Sequence, residues 1–306
     1  MITPSERRTT PKIEAYVTTE EGIGLFAQAL GNGPQAVVIP NGFHLLDDFK
    51  YLAADRTLVA YDLRNRGLSD HVSDTSKLKR GIHHDVDDLG AIRAHFGFGR
   101  MSVIGHSYLG FTAILYAMKY PAFVDRVVQV GAPPPDHAKK YPPHLTGHDA
   151  TLIEVLAQLA RLQANRGSED PEEFCKRVWS VLRSIYVTNP ADADRINWGR
   201  CHLPNERNFM KYWSEHILPS IQRLGLSAED VAKVTAPVLT IHGTKDRSAP
   251  YGGGREWACL LSDARLVTIE NAGHAPWIEA PEMVFGSIRA FLDGAWPAVA
   301  QEVESV

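Results

Sequence analysis

Met101-Ser102-Val103-Ile104-Gly105-His106-Ser107-Tyr108-Leu109-Gly110 is the stretch on which the reading of this chain turns. An apolar run with the composition of a buried strand meets a small residue and a serine, and a helical pattern begins at once. A strand–turn–helix elbow of this kind holds a serine in a tight turn with its hydroxyl facing out of the sheet. The following helix aims its first N–H groups and its positive dipole end at negative charge developing there. Leu109 stands where a second small residue belongs, and Gly110 comes one place later, so the turn has to make local room for a leucine. A serine at an ordinary helix N-terminus is the alternative reading.

Outward from the elbow, short β-rich runs alternate with helical patterns. Ile13 to Thr18 and Gly22 to Ala29 read as a hairpin around Thr19-Glu20-Glu21-Gly22. Ala36 to Pro40, Thr57 to Tyr61 and Arg126 to Val130 read as buried strands. Ile82 to Phe96 and Leu109 to Tyr120 carry apolar residues at the helical period. This is an α/β chain with a mostly parallel sheet and helices on both faces. The alternation stops at Gly131-Ala132-Pro133-Pro134-Pro135. Helical periods follow over Leu152–Leu162, Pro171–Ile185 and Glu206–Leu224, the last interrupted or kinked near Pro219. Strand and helix resume with Pro237 to Ile241, the helix near Gly254 to Leu261, Arg265 to Ile269 and Pro281 to Leu292. Residues 1–132 and 231–306 therefore form one core domain, and residues 133–230 a helical insertion. The tail from Ala295 reads as a short helix or a frayed end.

The 306 residues include 36 acidic and 32 basic side chains, a formal charge of −4, with 22% charged and 44% hydrophobic residues. Such a balance does not suit nucleic-acid binding, which needs clustered Lys and Arg. No apolar stretch reaches the roughly 20 residues of a membrane helix, and the polar start Met1 to Lys12 shows no secretory signal. Cys175, Cys201 and Cys259 are odd in number and lack metal-site spacing. Three reduced, buried thiols in a cytoplasmic protein, with no disulfide, are the expectation. Neither a dinucleotide fingerprint nor metal spacing appears, so neither cofactor nor metal is expected.

Serine is a poor nucleophile at neutral pH and needs a base, which needs an orienting acid. Thr240-Ile241-His242-Gly243-Thr244-Lys245-Asp246 is a buried strand ending in a glycine turn with an acid just beyond. Leu266 to Glu270 is the next strand, followed by Asn271-Ala272-Gly273-His274-Ala275-Pro276-Trp277. Reactive groups of open α/β sheets gather beyond the carboxyl ends of the strands. Ser107, Asp246 and His274 all fall there, in that order. Asp136, beyond the strand Arg126 to Val130, is a second place for the acid.

These features resemble the α/β-hydrolase family over nearly the whole chain. Asn41-Gly42-Phe43-His44 follows a strand where that family carries its oxyanion loop. Asp62-Leu63-Arg64-Asn65-Arg66-Gly67-Leu68-Ser69-Asp70 is similar to its D-x-R-G-x-G-x-S turn, with Asn65 replacing a glycine. The resemblance implies Ser107 as nucleophile, His274 as base and Asp246 as its partner. It implies the backbone N–H groups of Phe43 and Tyr108 as oxyanion donors, each worth on the order of 3 kcal/mol of barrier. A serine nucleophile weighs against the haloalkane-dehalogenase and epoxide-hydrolase branches, which use a carboxylate.

Several neighbours carry two readings. His106 is a packed strand-end residue rather than a base. His44 is a pocket residue or a turn residue, and Trp277 a pocket wall or core. His83-His84 with Asp85 and Asp87 invites a metal but reads better as a solvated first turn of a helix. The insertion would lie over the strand ends as a lid. Its aromatics (Trp179, Tyr186, Trp198, Phe209, Tyr212, Trp213) are mostly lid core, with Tyr212 and Trp213 assigned to the pocket. The lid and final third also look similar to the prolyl-aminopeptidase-like branch. There a lid acid binds the substrate's amino group, a role open to Glu206 or Glu215 although a solvated face suits both. The elbow and oxyanion loop depart from that branch. A carboxylesterase-type serine hydrolase acting on small or medium acyl esters is the first reading, and an aminopeptidase preferring N-terminal proline the second. A ligand-binding relative with weak turnover is the third. The partner in the first two is a small ester or amide; acyl length and oligomeric state stay open.

Overall fold

A computed structural model describes residues 12–164, 170–197 and 200–305. Most of the polar start, up to Pro11, and Trp198 lie outside the described residues. The early apolar runs become β1 (Lys12–Thr18), β2 (Gly24–Leu30), β3 (Gln35–Pro40) and β4 (Arg56–Tyr61). Then come α1 (Ile82–His95), β5 (Met101–His106), α2 (Tyr108–Lys119) and β6 (Val124–Val130). Between β6 and the next strand the described chain is helical: α3 (Ala150–Ala164), α4 (Pro171–Tyr186), α5 (Glu206–Tyr212) and α6 (Leu218–Gln222), with shorter turns between them. β7 (Val238–Gly243), α7 (Tyr251–Leu260), β8 (Ala264–Ile269) and α8 (Pro281–Leu292) complete the sheet and its cover.

The eight strands lie in the order β1-β2-β4-β3-β5-β6-β7-β8. The β1/β2 and β2/β4 pairs are antiparallel and the rest parallel. Successive residues on each strand go to opposite faces. Val38, Val103, Val127 and Val238 join Leu89 of α1 and Ile114 of α2 in one core. Ile39, Ile104, Val128 and Leu239 join Ile288 and Phe291 of α8 in the other. Helices on both faces explain why β5 and β7 are apolar and buried along their length. The chain winds one way from β3 to β4 and the other way from β5 to β8, which opens a crevice at the carboxyl ends of β3 and β5.

Pro219 acts as expected, with a physical mark. Having no N–H and a ring that crowds the preceding turn, it is preceded by a widened π-helical turn at Trp213–Ile217 before α6 begins. Tyr212 and Ser220 tie this arm to the start of α1, the Tyr212 hydroxyl donating to the Gly81 carbonyl at 3.1 Å and the Ile82 N–H to Ser220 Oγ at 2.9 Å. Among the described residues no helix is long and apolar enough to cross a membrane.

Two expectations are corrected. Cys175 and Cys201 form a disulfide across 26 residues of the insertion, leaving Cys259 as the free thiol. Packing of α4 against the turn before α5 brings them together, which spacing along the chain did not reveal. Reduced thiols no longer argue for a reducing compartment. The tail is neither helical nor frayed: Gln301 pairs antiparallel with Leu266, with N–H···O distances of 2.8 and 2.9 Å.

Closing a loop of this length restricts the unfolded chain, so replacing both Cys175 and Cys201 by Ala lowers the unfolding free energy by about 3 kcal/mol. Urea unfolding of the two proteins, followed by far-ultraviolet dichroism, measures the difference.

Candidate active site

Ser107 takes φ 57° and ψ −137° between β5 and α2, a conformation that costs a non-glycine residue on the order of 1–3 kcal/mol. It is held there by its N–H on the Val130 carbonyl and its own carbonyl on the Gly110 N–H, both 2.9 Å. A Cβ on Gly105 would fall 2.2 Å from the Leu109 carbonyl oxygen, so strand and helix meet too closely for any side chain there. The second close approach belongs to Gly110, against Ala132 and Gln129. Leu109 is simply buried in the core and needs no special room.

Asp246 and His274 come from the loops after β7 and β8 and are both fully buried. His274 Nδ1 donates to Asp246 Oδ2 at 2.7 Å. The other oxygen, Oδ1, accepts the N–H groups of Ser248 and Ala249, each at 2.8 Å. Burial pushes this carboxyl up. His274 and then His242 outweigh it and hold Asp246 well below the usual carboxylate range. Asp136, by contrast, is exposed and caps Ala138 locally. On the far side of the ring, His274 Nε2 is buried and meets no hydrogen-bond partner. No hydrogen bond joins it to the Ser107 hydroxyl.

Two residues that sequence reading left without a role shape this pair. Gly131, at φ 59°, follows β6, and a Cβ there would lie 2.9 Å from His274 Nδ1 and 3.1 Å from Asp246 Oδ2. His242, at the end of β7, places Nε2 at 3.1 Å from the Ala249 carbonyl and 3.3 Å from Asp246 Oδ2. The signal for His242 was its place at a strand end four residues before the acid.

Aromatic rings wall the imidazole. His106 Nε2 donates to the His274 carbonyl at 3.0 Å and its ring lies 4.6 Å from that of His274, the packed strand-end role read from sequence. Burial pushes the His106 imidazole well down, so it is neutral. Trp277 is buried, edge-on to His106 at 4.8 Å, with Nε1 on Asp48. It is core, not pocket wall. Tyr186, from the end of α4, stands edge-on to His274 at 4.8 Å.

The loop after β3 begins with Asn41 at φ 51° and turns through Gly42–His44. Phe43 stacks on Phe26 at 5.5 Å, and the Arg200 guanidinium lies 4.6 Å from its ring centre. Arg200 Nη1 in turn reaches both oxygens of Asp62 at 2.7 and 2.9 Å. Asn65 occupies the left-handed region that a glycine would take, and its side chain accepts the Val72 N–H at 2.6 Å. Tyr108 supplies the first N–H of α2, one of the donors a helix leaves unpaired. His44 Nδ1 donates to the Asn41 carbonyl at 2.9 Å, as a turn residue does.

Other assignments change. Tyr212 does not line a pocket; it is buried in the seam between the insertion and α1, its hydroxyl on Gly81 and Asp85. Trp213, half-buried, packs its ring 4.8 Å from that of Tyr108. The first turn of α1 is solvated only in part: His83 is exposed and Asp87 half-buried, whereas His84 and Asp85 are buried, Asp85 under the Tyr212 hydroxyl. One turn on, Arg64 reaches across from the β4 loop and bonds both oxygens of the buried Asp88 at 2.8 and 2.6 Å. Among the described residues no group of three or more potential metal ligands gathers. Glu215 is exposed beside Lys211, whereas Glu206 is buried and paired with Arg66 at 3.5 Å rather than facing solvent.

Burial and then the Arg66 charge push the His44 imidazole down to about 3. The unfolded chain thus binds a proton on this residue near pH 6.5 that the folded protein refuses until about pH 3, and stability falls as pH drops through that window. In His44→Gln the acid limb loses up to about 1.4 kcal/mol of slope per pH unit there, measured by urea unfolding at successive pH values.

A family model for the alpha/beta hydrolase fold matches residues 39–281. A proline iminopeptidase of Pestalotiopsis fici is 25% identical over 257 residues, 80% of this chain and 84% of that protein. A bifunctional esterase/perhydrolase of Acinetobacter calcoaceticus is 24% identical over 290 residues, 90% of this chain and 99% of that one. The solved esterase of Exiguobacterium antarcticum superposes with a TM-score of 0.67 at 15% identity, over 92% of this chain and all of that one, a likeness of fold alone. The strained serine after β5, the acid after β7 and the histidine after β8 stand on the sheet that this family model describes, and the chain belongs to the alpha/beta hydrolases.

Proposed function

We propose that the chain is a serine hydrolase that cleaves carboxylic esters of small or medium acyl groups, with Ser107 as nucleophile, His274 as base and Asp246 as the acid that orients it. The observation that carries this reading is the buried His274 imidazole. Its Nδ1 is fixed on Asp246 and its Nε2 is left without a partner, while its ring packs 4.6 Å from that of His106, the residue before Ser107. A buried ring nitrogen without a partner is costly unless a reacting group supplies one.

Ser107 Oγ attacks the ester carbonyl carbon as its proton passes to His274 Nε2, a step open only to neutral imidazole. The carbonyl electron pair moves onto oxygen, where the N–H groups of Phe43 and Tyr108 receive it. Collapse expels the alcohol oxygen, which takes the proton back from His274. Water then repeats the sequence on the acyl-serine, releasing the acid and restoring Ser107. Asp246 keeps the imidazole in the right tautomer and offsets the positive charge it briefly carries. The helical insertion, residues 133–230, serves as the lid that bounds the acyl pocket, with Trp213 and Tyr186 on its inner side.

Amide cleavage at an N-terminal proline is the second reading, favoured by the similarity to the iminopeptidase of Pestalotiopsis fici. It requires an acid free to bind an amine, and Glu206 is buried against Arg66 instead.

Nitrophenyl acetate and butyrate are expected to turn over well and a proline arylamide poorly; the reverse ranking would install the peptidase. Ser107→Ala should lose all labelling by a fluorophosphonate, and persistent labelling would move the nucleophile elsewhere. Asp246→Asn should fold yet lower kcat by about 10³–10⁴-fold in stopped-time assays on the same esters.

A further inference from the structure

Of the 15 residues of α3, Glu154 and Arg161 alone are charged. A helix that is apolar on every side is ordinarily covered on every side. α3 is covered on one. Val155 is buried, and Leu152, Leu159 and Leu162 beside it are half-buried. The opposite side carries Ile153 and Leu156, 72% and 55% exposed, together with the exposed Ala157, Ala160 and Ala164. At 3.6 residues per turn these five form one stripe along the helix.

The stripe has a direction. Its bulky residues, Ile153 and Leu156, lie in the first half of α3 and its alanines from Ala157 onward. Glu154 and Arg161 stand about two turns apart, so they share one flank of the stripe, the acid near its start and the base near its end. Both are exposed, Glu154 accepts the Gln158 amide at 3.2 Å, and among the described residues neither meets an opposite charge. A pattern of this kind is complementary to itself turned end for end. With a two-fold axis between Ala157 and Gln158, an antiparallel copy brings Glu154 level with Arg161 of the other helix, and Arg161 level with its Glu154. The axis keeps both charged flanks on the same side, so each pair forms. Leu156 then falls between Ala157 and Ala160 of the other copy, and Ile153 between Ala160 and Ala164. Branched side chains thus meet positions that carry a methyl group, and every contact is made twice, as a closed two-fold interface requires. A lipid surface fits less well, because helices that lie on membranes carry a strongly cationic polar face, and this stripe is flanked by one acid and one base.

We propose that the outer face of α3 is an interaction surface for a second copy of this chain, the two helices pairing antiparallel about a two-fold axis at Ala157–Gln158. The proposal does not rest on the serine-hydrolase reading. Two helices of this length are about 22 Å long and bury less than the roughly 1,200 Å² of a standard interface. The dimer should therefore have a Kd on the order of 10 µM rather than a nanomolar one.

Sedimentation equilibrium of the full chain from about 1 to about 300 µM tests this. The mass should rise from 33.9 kDa towards twice that value with one monomer–dimer constant. Leu156→Glu should remain a monomer throughout. Arg161→Glu and Glu154→Arg each set like charges opposite one another twice, and each should raise Kd about tenfold. The double variant Glu154→Arg/Arg161→Glu restores opposite signs and should return Kd to within about threefold of the wild type. These charged side chains are exposed, so the exchange tests the pairing even where Leu156→Glu fails to fold, and far-ultraviolet dichroism verifies each variant. A wild-type chain that stays monomeric up to the highest concentration overturns the proposal. So does a dimer that withstands a folded Leu156→Glu, or a double variant no tighter than the single ones. Flotation of a monomeric chain with phosphatidylglycerol vesicles, lost in Leu156→Glu, would give the stripe to a lipid surface instead.

Discussion

One hydrogen bond, from His274 Nδ1 to Asp246 at 2.7 Å, organises the carboxyl edge of the sheet. Burying an ion-bearing group costs several kcal/mol unless every lone pair finds a donor. Asp246 meets that demand with two backbone N–H groups and two imidazoles. The turn Gly243–Ala249 must then curl round the carboxylate, and neighbouring backbones must come close enough to exclude water. Gly131 and Gly147 are the visible consequence. Both take positive φ, and a Cβ at either would strike the pair or the Asp246 backbone. The site is thus set by what cannot be added around it as much as by what reacts in it.

The imidazole is fixed from further out as well. Its carbonyl accepts His106 from below, and the Ala275 N–H donates to the Tyr186 carbonyl at 2.8 Å. Glu279 accepts the Gly273 N–H with one oxygen and the Thr188 N–H with the other, at 2.6 and 2.7 Å. The loop that bears His274 is therefore stitched to the end of α4, so the first part of the insertion is coupled to the candidate base rather than lying loosely above it. A shift of α4 would tilt the imidazole directly.

What the sequence made legible was whatever depends on neighbours along the chain. The elbow, the buried strands and the acid and histidine beyond β7 and β8 each announce themselves within about ten residues, because strand burial and turn chemistry are local. The break in α5–α6 at Pro219 was legible for the same reason. Long-range packing was not. Nothing in the spacing of Cys175 and Cys201 reports that α4 folds back beside the turn before α5. His84 and Asp85 look like a solvated helix start until Glu21 and Tyr212, distant along the chain, come to lie against them. Tyr212 has the composition of a pocket residue, and only its hydrogen bonds to Gly81 and Asp85 place it in the seam.

That seam is apolar where Ile217 and Ile221 join Ile82 and Val86 of α1 in one core, and polar beside it. Asp62–Arg200, Arg66–Glu206 and the Asn205 amide on the Ser69 carbonyl all join the insertion to the turn Asp62–Asp70. Partly desolvated pairs add little net stability, yet removing one member is costly because the other is stranded. Such contacts select one docking geometry without making the interface tight. An interface of that kind fixes orientation strongly and affinity weakly. Arg200 couples this choice to the reaction by lying against Phe43, whose N–H is the candidate oxyanion donor. The pairing of Arg200 with Asp62 therefore links the insertion, through one guanidinium, to the ring of Phe43 on the candidate oxyanion loop.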